Sequence, residues 1–177
     1  MISLRTENLG LQRGGEWLFR NLDISIPCGS IVAILGPSGV GKSSLLSCLS
    51  GSETPSEGKV EFEIHDGEVR HTDNISPDLG IIFQSLRLTD HVSVLENVLY
   101  GRVAQYGLKE SIIGFPTPDK EKAFEILKDL GIHHLAYKWT SQTSGGERQR
   151  TAIARTLFQD PSFILADEPV SNLDTYY

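Results

Sequence analysis

The sequence predicts an α/β fold: a sheet covered by helices, with an antiparallel β subdomain at its N-terminal side and an α-helical lobe. Three observations carry this reading. Two short, continuous aliphatic runs, IVAIL (31–35) and FILA (163–166), suit strands buried on both faces. The first run leads through a glycine-rich loop into the helix-favouring KSSLLSCLS. Between the two runs, from Ser93 to Ala136, the apolar spacing turns helical. Strand–helix alternation of this kind is the pattern of a layered α/β domain.

In chain order, residues 2–9 and 20–26 (RNLDISI) read as strands of an antiparallel edge, with alternation in LDISI and the turn signal PCG after it. IVAIL follows as a buried strand, and KSSLLSCLS as a helix stopped by Gly51. Residues 58–83 read as further strands around the polar loop HDGEVRHTDN. Asp119 is placed as the cap of a helix whose Ala123, Phe124, Leu127 and Leu130 share a face and which Gly131 ends. Another helix is expected from about 146 to 158, before FILA. The expected organisation is a single domain over 1–177, with core sheet and β subdomain in 1–84 and 159–177 and the lobe in about 85–158.

Composition narrows the function classes. A chain of 177 residues can bury a real core. Its net charge of −7 argues against a general nucleic-acid binder. Cys28 and Cys48 form no CxxC, which points away from a disulfide framework or a metal cage and fits a reduced setting. The N-terminus has charges where a signal peptide needs an apolar stretch, and the longest aliphatic run, 31–35, falls far short of a membrane span. Any role at a membrane is expected to depend on a partner.

The chemistry concentrates in three stretches. GPSGVGKSS, comprising Gly36, Pro37, Ser38, Gly39, Val40, Gly41, Lys42, Ser43 and Ser44, matches G-x-x-x-x-G-K-[ST] between a strand and a helix. Its glycines let the loop fold into a nest of inward-facing amides for phosphate oxygens. Lys42 supplies a charge for the β- and γ-phosphates, and the Ser43 hydroxyl suits Mg²⁺. A nucleoside triphosphate site is therefore predicted. In FILADEP, Asp167 ends a strand where it can hold Mg²⁺, and Glu168 stands where a carboxylate polarises an attacking water. The competing reading is that an acidic pair and a proline merely terminate the strand. In TSGGERQR, Ser144 and Glu147 have capping-box spacing. A cap does not require Gly145 and Gly146, and a glycine in a helix costs about 1 kcal/mol relative to alanine. Paired glycines suit a helix start whose amides an anion approaches.

The order of the phosphate loop, Gln84 in IIFQ, SGGERQR, ILADEP and SNLD resembles the ATP-binding cassette (ABC) ATPases over residues 36–174. The resemblance implies a P-loop ATPase core that binds ATP and Mg²⁺ and works as a head-to-tail homodimer. Ser144, Gly145 and Gly146 of one subunit would then meet the γ-phosphate held by the other. Gln84 resembles the glutamine that senses Mg²⁺ and the water, Asp167 the metal-holding carboxylate and Glu168 the base. Asn172 and Asp174 resemble the D-loop, with a solvated turn as the other reading. Thr143 departs from the usual leucine. The aromatic that stacks on adenine is missing near Arg13, leaving the Arg13 guanidinium or Trp17 as alternatives. The family's next strand and switch histidine lie past Tyr177, and His65, His71, His91, His133 and His134 come too early. By resemblance, residues 1–177 are expected to be a fragment in which IVAIL and FILA border the place of that strand.

ENVLYGRVAQYG, with the pair Gly101-Arg102, and PDKEKAFEILKDLGIHHLAYK resemble the ATPases of phosphonate-type importers. ERQR with ADEPVSNLD resembles the lipoprotein-releasing and macrolide-export branch; the importer reading is preferred. It implies ATP hydrolysis at the cytoplasmic face of the cell membrane and attachment to membrane permease subunits. A periplasmic or lipid-anchored solute-binding protein is a further implied partner, and nucleic acid is not. A soluble ABC protein of DNA repair or translation is a different class, usually marked by coiled-coil insertions or a second cassette. A non-catalytic ATP-binding module is another.

Overall fold

Twelve residues of extended chain, β1 (Ile2–Arg13), form the spine of the N-terminal half. The computed structural model describes residues 2–64, 69–71, 78–106 and 114–169, and the chain divides into two units, 1–79 and 80–177. In the first unit β1 pairs antiparallel with β2 (Glu16–Leu22), β3 (Ser25–Ile26) and β4 (Glu57–Ile64), and β4 pairs with β5 (Val69–His71). The strand order is β2-β1-β4-β5. Leu4, Leu9, Leu11, Val60 and Phe62 are buried along these strands. The register of β1 against β4 shifts between Glu7 and Gly10, where Asn8 is left-handed (φ 48°). Gly58 (φ 78°) faces this bulge so closely that a Cβ would lie 2.3 Å from the Glu7 carbonyl oxygen.

The expected strands 2–9 and 20–26 have different bounds here. Gly14 and Gly15, both at positive φ, close a two-residue hairpin that extends β1 to Arg13 and starts β2 at Glu16. The stretch 20–26 is broken because Asn21 turns left-handed (φ 54°) and the Asp23 carboxylate accepts the Asn8 N–H at 2.6 Å. The run 31–35 is a correction: it forms no strand, and Ile31 and Leu35 are 100% and 90% exposed. An apolar run becomes a strand only when neighbours take its N–H and C=O groups, and neither sheet of the described residues includes it. The helix after the glycine-rich loop is present as α1 (Lys42–Leu49), with Leu45, Cys48 and Leu49 buried.

In the second unit β6 (Leu79–Ile82) pairs with β7 (Phe163–Ala166). Helices α2 (Val94–Leu99), α3 (Thr117–Asp129) and α4 (Gly145–Gln159) enclose an apolar core that includes Val94, Val98, Leu127, Ile132 and Phe158. Asp119 is not the cap of α3. The helix starts two residues earlier, behind Pro116, and Pro118 fits its first turn because an N–H there has no intrahelical partner. Asp119 instead accepts the Tyr106 hydroxyl at 2.6 Å. Burial and that bond push the Tyr106 hydroxyl up to about 12. Asn97, fully buried, ties the lobe together. Its amide nitrogen donates to the carbonyls of Thr89 (2.9 Å) and Ser93 (3.3 Å) and to the Thr140 hydroxyl (2.7 Å), while its oxygen accepts the Thr89 N–H at 2.9 Å. No helix of the described residues is long and apolar enough to cross a membrane.

Candidate functional site

The candidate site residues fall in both units. In the first, the loop Gly36–Ser44 is shaped by residues that only glycine makes easy. Gly39 has φ 80° and Gly41, the residue before α1, has φ 103°. Gly41 offers no side-chain cap, so the first-turn amides of α1, beginning with Lys42, Ser43 and Ser44, have no capping side chain. The Lys42 ammonium turns back into the loop and donates to the carbonyls of Gly36 (2.9 Å) and Pro37 (2.8 Å). The ammonium thus stands beside the helix-start amides, groups of the kind that can bind an anion. Of the two adenine-stacking alternatives, Arg13 is held by Glu53 through contacts of 2.7, 2.8 and 3.2 Å. Trp17 has the Arg20 guanidinium 4.4 Å from its ring centre.

In the second unit α4 begins with the capping box expected from the spacing. The Ser144 hydroxyl accepts the Glu147 N–H at 3.3 Å, and the Glu147 carboxylate accepts the Ser144 N–H at 2.7 Å. That backbone donor holds the Glu147 carboxyl below its ordinary range. Gly145 and Gly146 form the first helical residues behind Ser144. Beyond β7, Asp167 is fixed through its N–H to the Ile82 carbonyl at 2.9 Å. Glu168 follows in a left-handed conformation (φ 50°), uncommon for a non-glycine residue and worth about 1–2 kcal/mol of strain. Gln84, just past β6, donates from its amide nitrogen to the Glu168 carboxylate at 3.2 Å. Residues 84 apart in sequence are thus in contact. Asn172 and Asp174 lie outside the described residues.

The residue types suit Mg²⁺. The Ser43 hydroxyl, the Asp167 carboxylate and the Gln84 amide oxygen are hard oxygen donors, and Mg²⁺ is commonly held by one or two carboxylates together with substrate phosphates.

Gln149 and Arg148 belong to TSGGERQR but carry a role that the sequence reading left unassigned. Gln149, 1% exposed, donates to the Glu168 carbonyl at 3.4 Å. Arg148 pairs with Asp90 at 2.7 Å and donates to the Thr140 carbonyl at 3.2 Å. The available signal was periodicity, since Gln149 shares a helix face with the buried Ala152 and Thr156.

A family model described as ABC transporter matches residues 19–171. A phosphonates import ATP-binding protein of Oceanobacillus iheyensis is 41% identical over 98% of this chain and 70% of its own length. A hypophosphite import ATP-binding protein of Stutzerimonas stutzeri is 38% identical over 98% of the chain and 52% of its own length. The chain thus spans between about half and 70% of these relatives. Among solved structures, the dimeric structure of a bacterial ABC transporter cassette aligns with TM-score 0.80 and 31% identity, covering 97% of this chain and 76% of that one.

Proposed function

The chain belongs to the ABC transporter family, and from that premise we propose that it binds and hydrolyses ATP to energise import of phosphonate-type anions across the cytoplasmic membrane. The single observation that carries the hydrolytic part is the Gln84–Glu168 contact at 3.2 Å beside a strained Glu168 backbone. Strain of this sort persists where the surroundings over-determine it and clusters at functional sites. The importer reading is supported by relatives named for phosphonate and hypophosphite import and by the Gly101-Arg102 pair in the lobe.

In this reading each residue has a physical task. The loop amides between Gly36 and Ser44 and the Lys42 ammonium neutralise the triphosphate, and Lys42 leaves the Gly36 and Pro37 carbonyls to do so. Ser43, Asp167 and Gln84 are the residues that would hold Mg²⁺, which would supply charge neutralisation at the phosphates. Glu168 accepts a proton from the attacking water, and Gln84 orients the carboxylate that does so. Ser144 and the amides of Gly145 and Gly146 serve the γ-phosphate of a second, head-to-tail subunit, with Asp174 passing contacts across the dimer. ATP then stabilises the closed pair by its differential affinity for that state. Membrane permease subunits would bind on the lobe near 85–105, at the cytoplasmic face, and a solute-binding protein would deliver the anion.

Glu168→Gln tests the reading, because the amide keeps the shape and loses the base. MgATP binding should persist while turnover falls by about 10² to 10⁴-fold, and light scattering should detect an ATP-dependent dimer. A variant that hydrolyses ATP at the unaltered rate removes Glu168 from the mechanism.

A further inference from the structure

Past its capped start, α4 reaches the segment after Gln84 with one side chain. The Arg155 guanidinium donates from Nη2 to the Leu86 carbonyl and from Nη1 to the Arg87 carbonyl, both at 2.7 Å. These carbonyls belong to consecutive non-glycine residues in the left-handed region, with φ 56° and 46°. A side chain rarely adopts that conformation, and two in succession persist only where something holds them. The planar fork of arginine suits two neighbouring acceptors in a way that a single ammonium does not.

The rest of the segment is fixed from the other side. The Leu86 N–H donates to the Phe83 carbonyl at 2.9 Å and the Arg87 N–H to the Ser85 carbonyl at 2.6 Å. The Arg87 guanidinium lies 3.6 Å from the centre of the Phe83 ring. Gln84 sits inside this turn. Arg155 itself is located by Gly101, where a Cβ would come within 2.3 Å of the Arg155 carbonyl oxygen. Burial, with the Arg87 charge nearby, lowers the basicity of the half-buried Arg155.

We propose that Arg155 is a positioning residue for hydrolysis: by clamping Leu86 and Arg87 it fixes the turn that aims Gln84 at Glu168. The proposal rests on the reading of Gln84 and Glu168 given above. In that reading it also gives α4 two jobs, with a phosphate-facing start at Ser144 and a grip on the Gln84 turn about three helical turns later. The competing role is a buried arginine that merely stabilises the lobe.

Arg155→Lys in the full chain separates the two, because it keeps the charge and loses the fork. Hydrogen exchange should show the 83–92 segment losing protection by about tenfold or more while α2 and α4 keep theirs, as local opening without global unfolding. Turnover of MgATP should fall by about 100-fold, the scale expected when a catalytic group is misplaced. The KM for ATP should stay within about twofold, since Lys42 and its loop hold the triphosphate. Arg155→Met should deepen both losses. Unchanged exchange over 83–92, equal deprotection of α2 and α4, or unchanged kcat overturns the proposal. If the unaltered chain binds MgATP without turnover, the hydrolytic reading fails and exchange alone decides the clamp, with deprotection confined to 83–92 sustaining it.

Discussion

Two helix starts in this molecule carry glycines, and they are built in opposite ways. Before α1, Gly41 stands at φ 103° with no capping side chain, and among the described residues the Lys42 ammonium is bonded only to carbonyls of its own loop. Before α4, Ser144 and Glu147 close a reciprocal cap, and Gly145 and Gly146 already lie in the helical ladder. The first start leaves its first-turn amides without a capping side chain. The second closes two of its donors, the Ser144 and Glu147 N–H groups, with its own side chains, so whatever meets Ser144 approaches a surface already fixed in shape. Glycine means conformation in the first case and clearance in the second.

The largest expected effect is on the open start. Lys42→Ala should weaken ATP binding by about 100-fold or more, since the loop amides alone leave the triphosphate poorly neutralised. The melting temperature should hardly move, because Lys42 is bonded only within its own loop. Calorimetry showing unchanged affinity would remove the phosphate-site assignment.

Alanine at the two glycine positions sharpens the contrast, because the sign should invert. Gly41→Ala forces a side chain into the left-handed region and should cost about 1–2 kcal/mol. Space is not the obstacle, since the nearest atom to a Cβ there is 3.6 Å away. Gly146→Ala lies within a helix and should stabilise the chain by up to about 1 kcal/mol, while weakening any ATP-dependent dimer. Denaturant melts of both variants read the signs; equal destabilisation would erase the distinction.

The smallest effect is the pH dependence of the closed start. The Glu147 carboxyl is depressed in the folded chain, so its contribution is present above the ordinary carboxylate range and is lost as pH falls through the depressed value. The stability difference between the unaltered chain and Glu147→Ala should therefore shrink on acidification. A difference that grows in acid contradicts the cap as the cause.

What could be read from the sequence follows from where each partner lies. The conformations at Gly39, Gly41 and Ser144 were legible because the residue types themselves dictate them. The fate of 31–35 was not, since a strand needs a neighbour and apolar character supplies none. The break in 20–26 escaped notice because Asn21 and Asp23 look like ordinary polar members of an alternating run. Asn97 and Arg155 were invisible for a different reason: most of their partners are backbone groups, which have no sequence signature. Glu168 was marked as a site residue by its place just past FILA and Gln84 through the family resemblance, and their contact is a product of the fold.

The bulge at Glu7–Gly10 and the glycine opposite it have a consequence for assembly errors. A strand that slides by one residue turns every side chain to the wrong face, and β1 has three partners that would all inherit the slip. Asn8 protrudes and Gly58 is the notch that admits it, with no room for a methyl group. Moving β4 one step along would bring the side chain of Glu57 or Lys59 against that backbone. The pair therefore acts as a mechanical detent, and the sheet has one setting in which it can close.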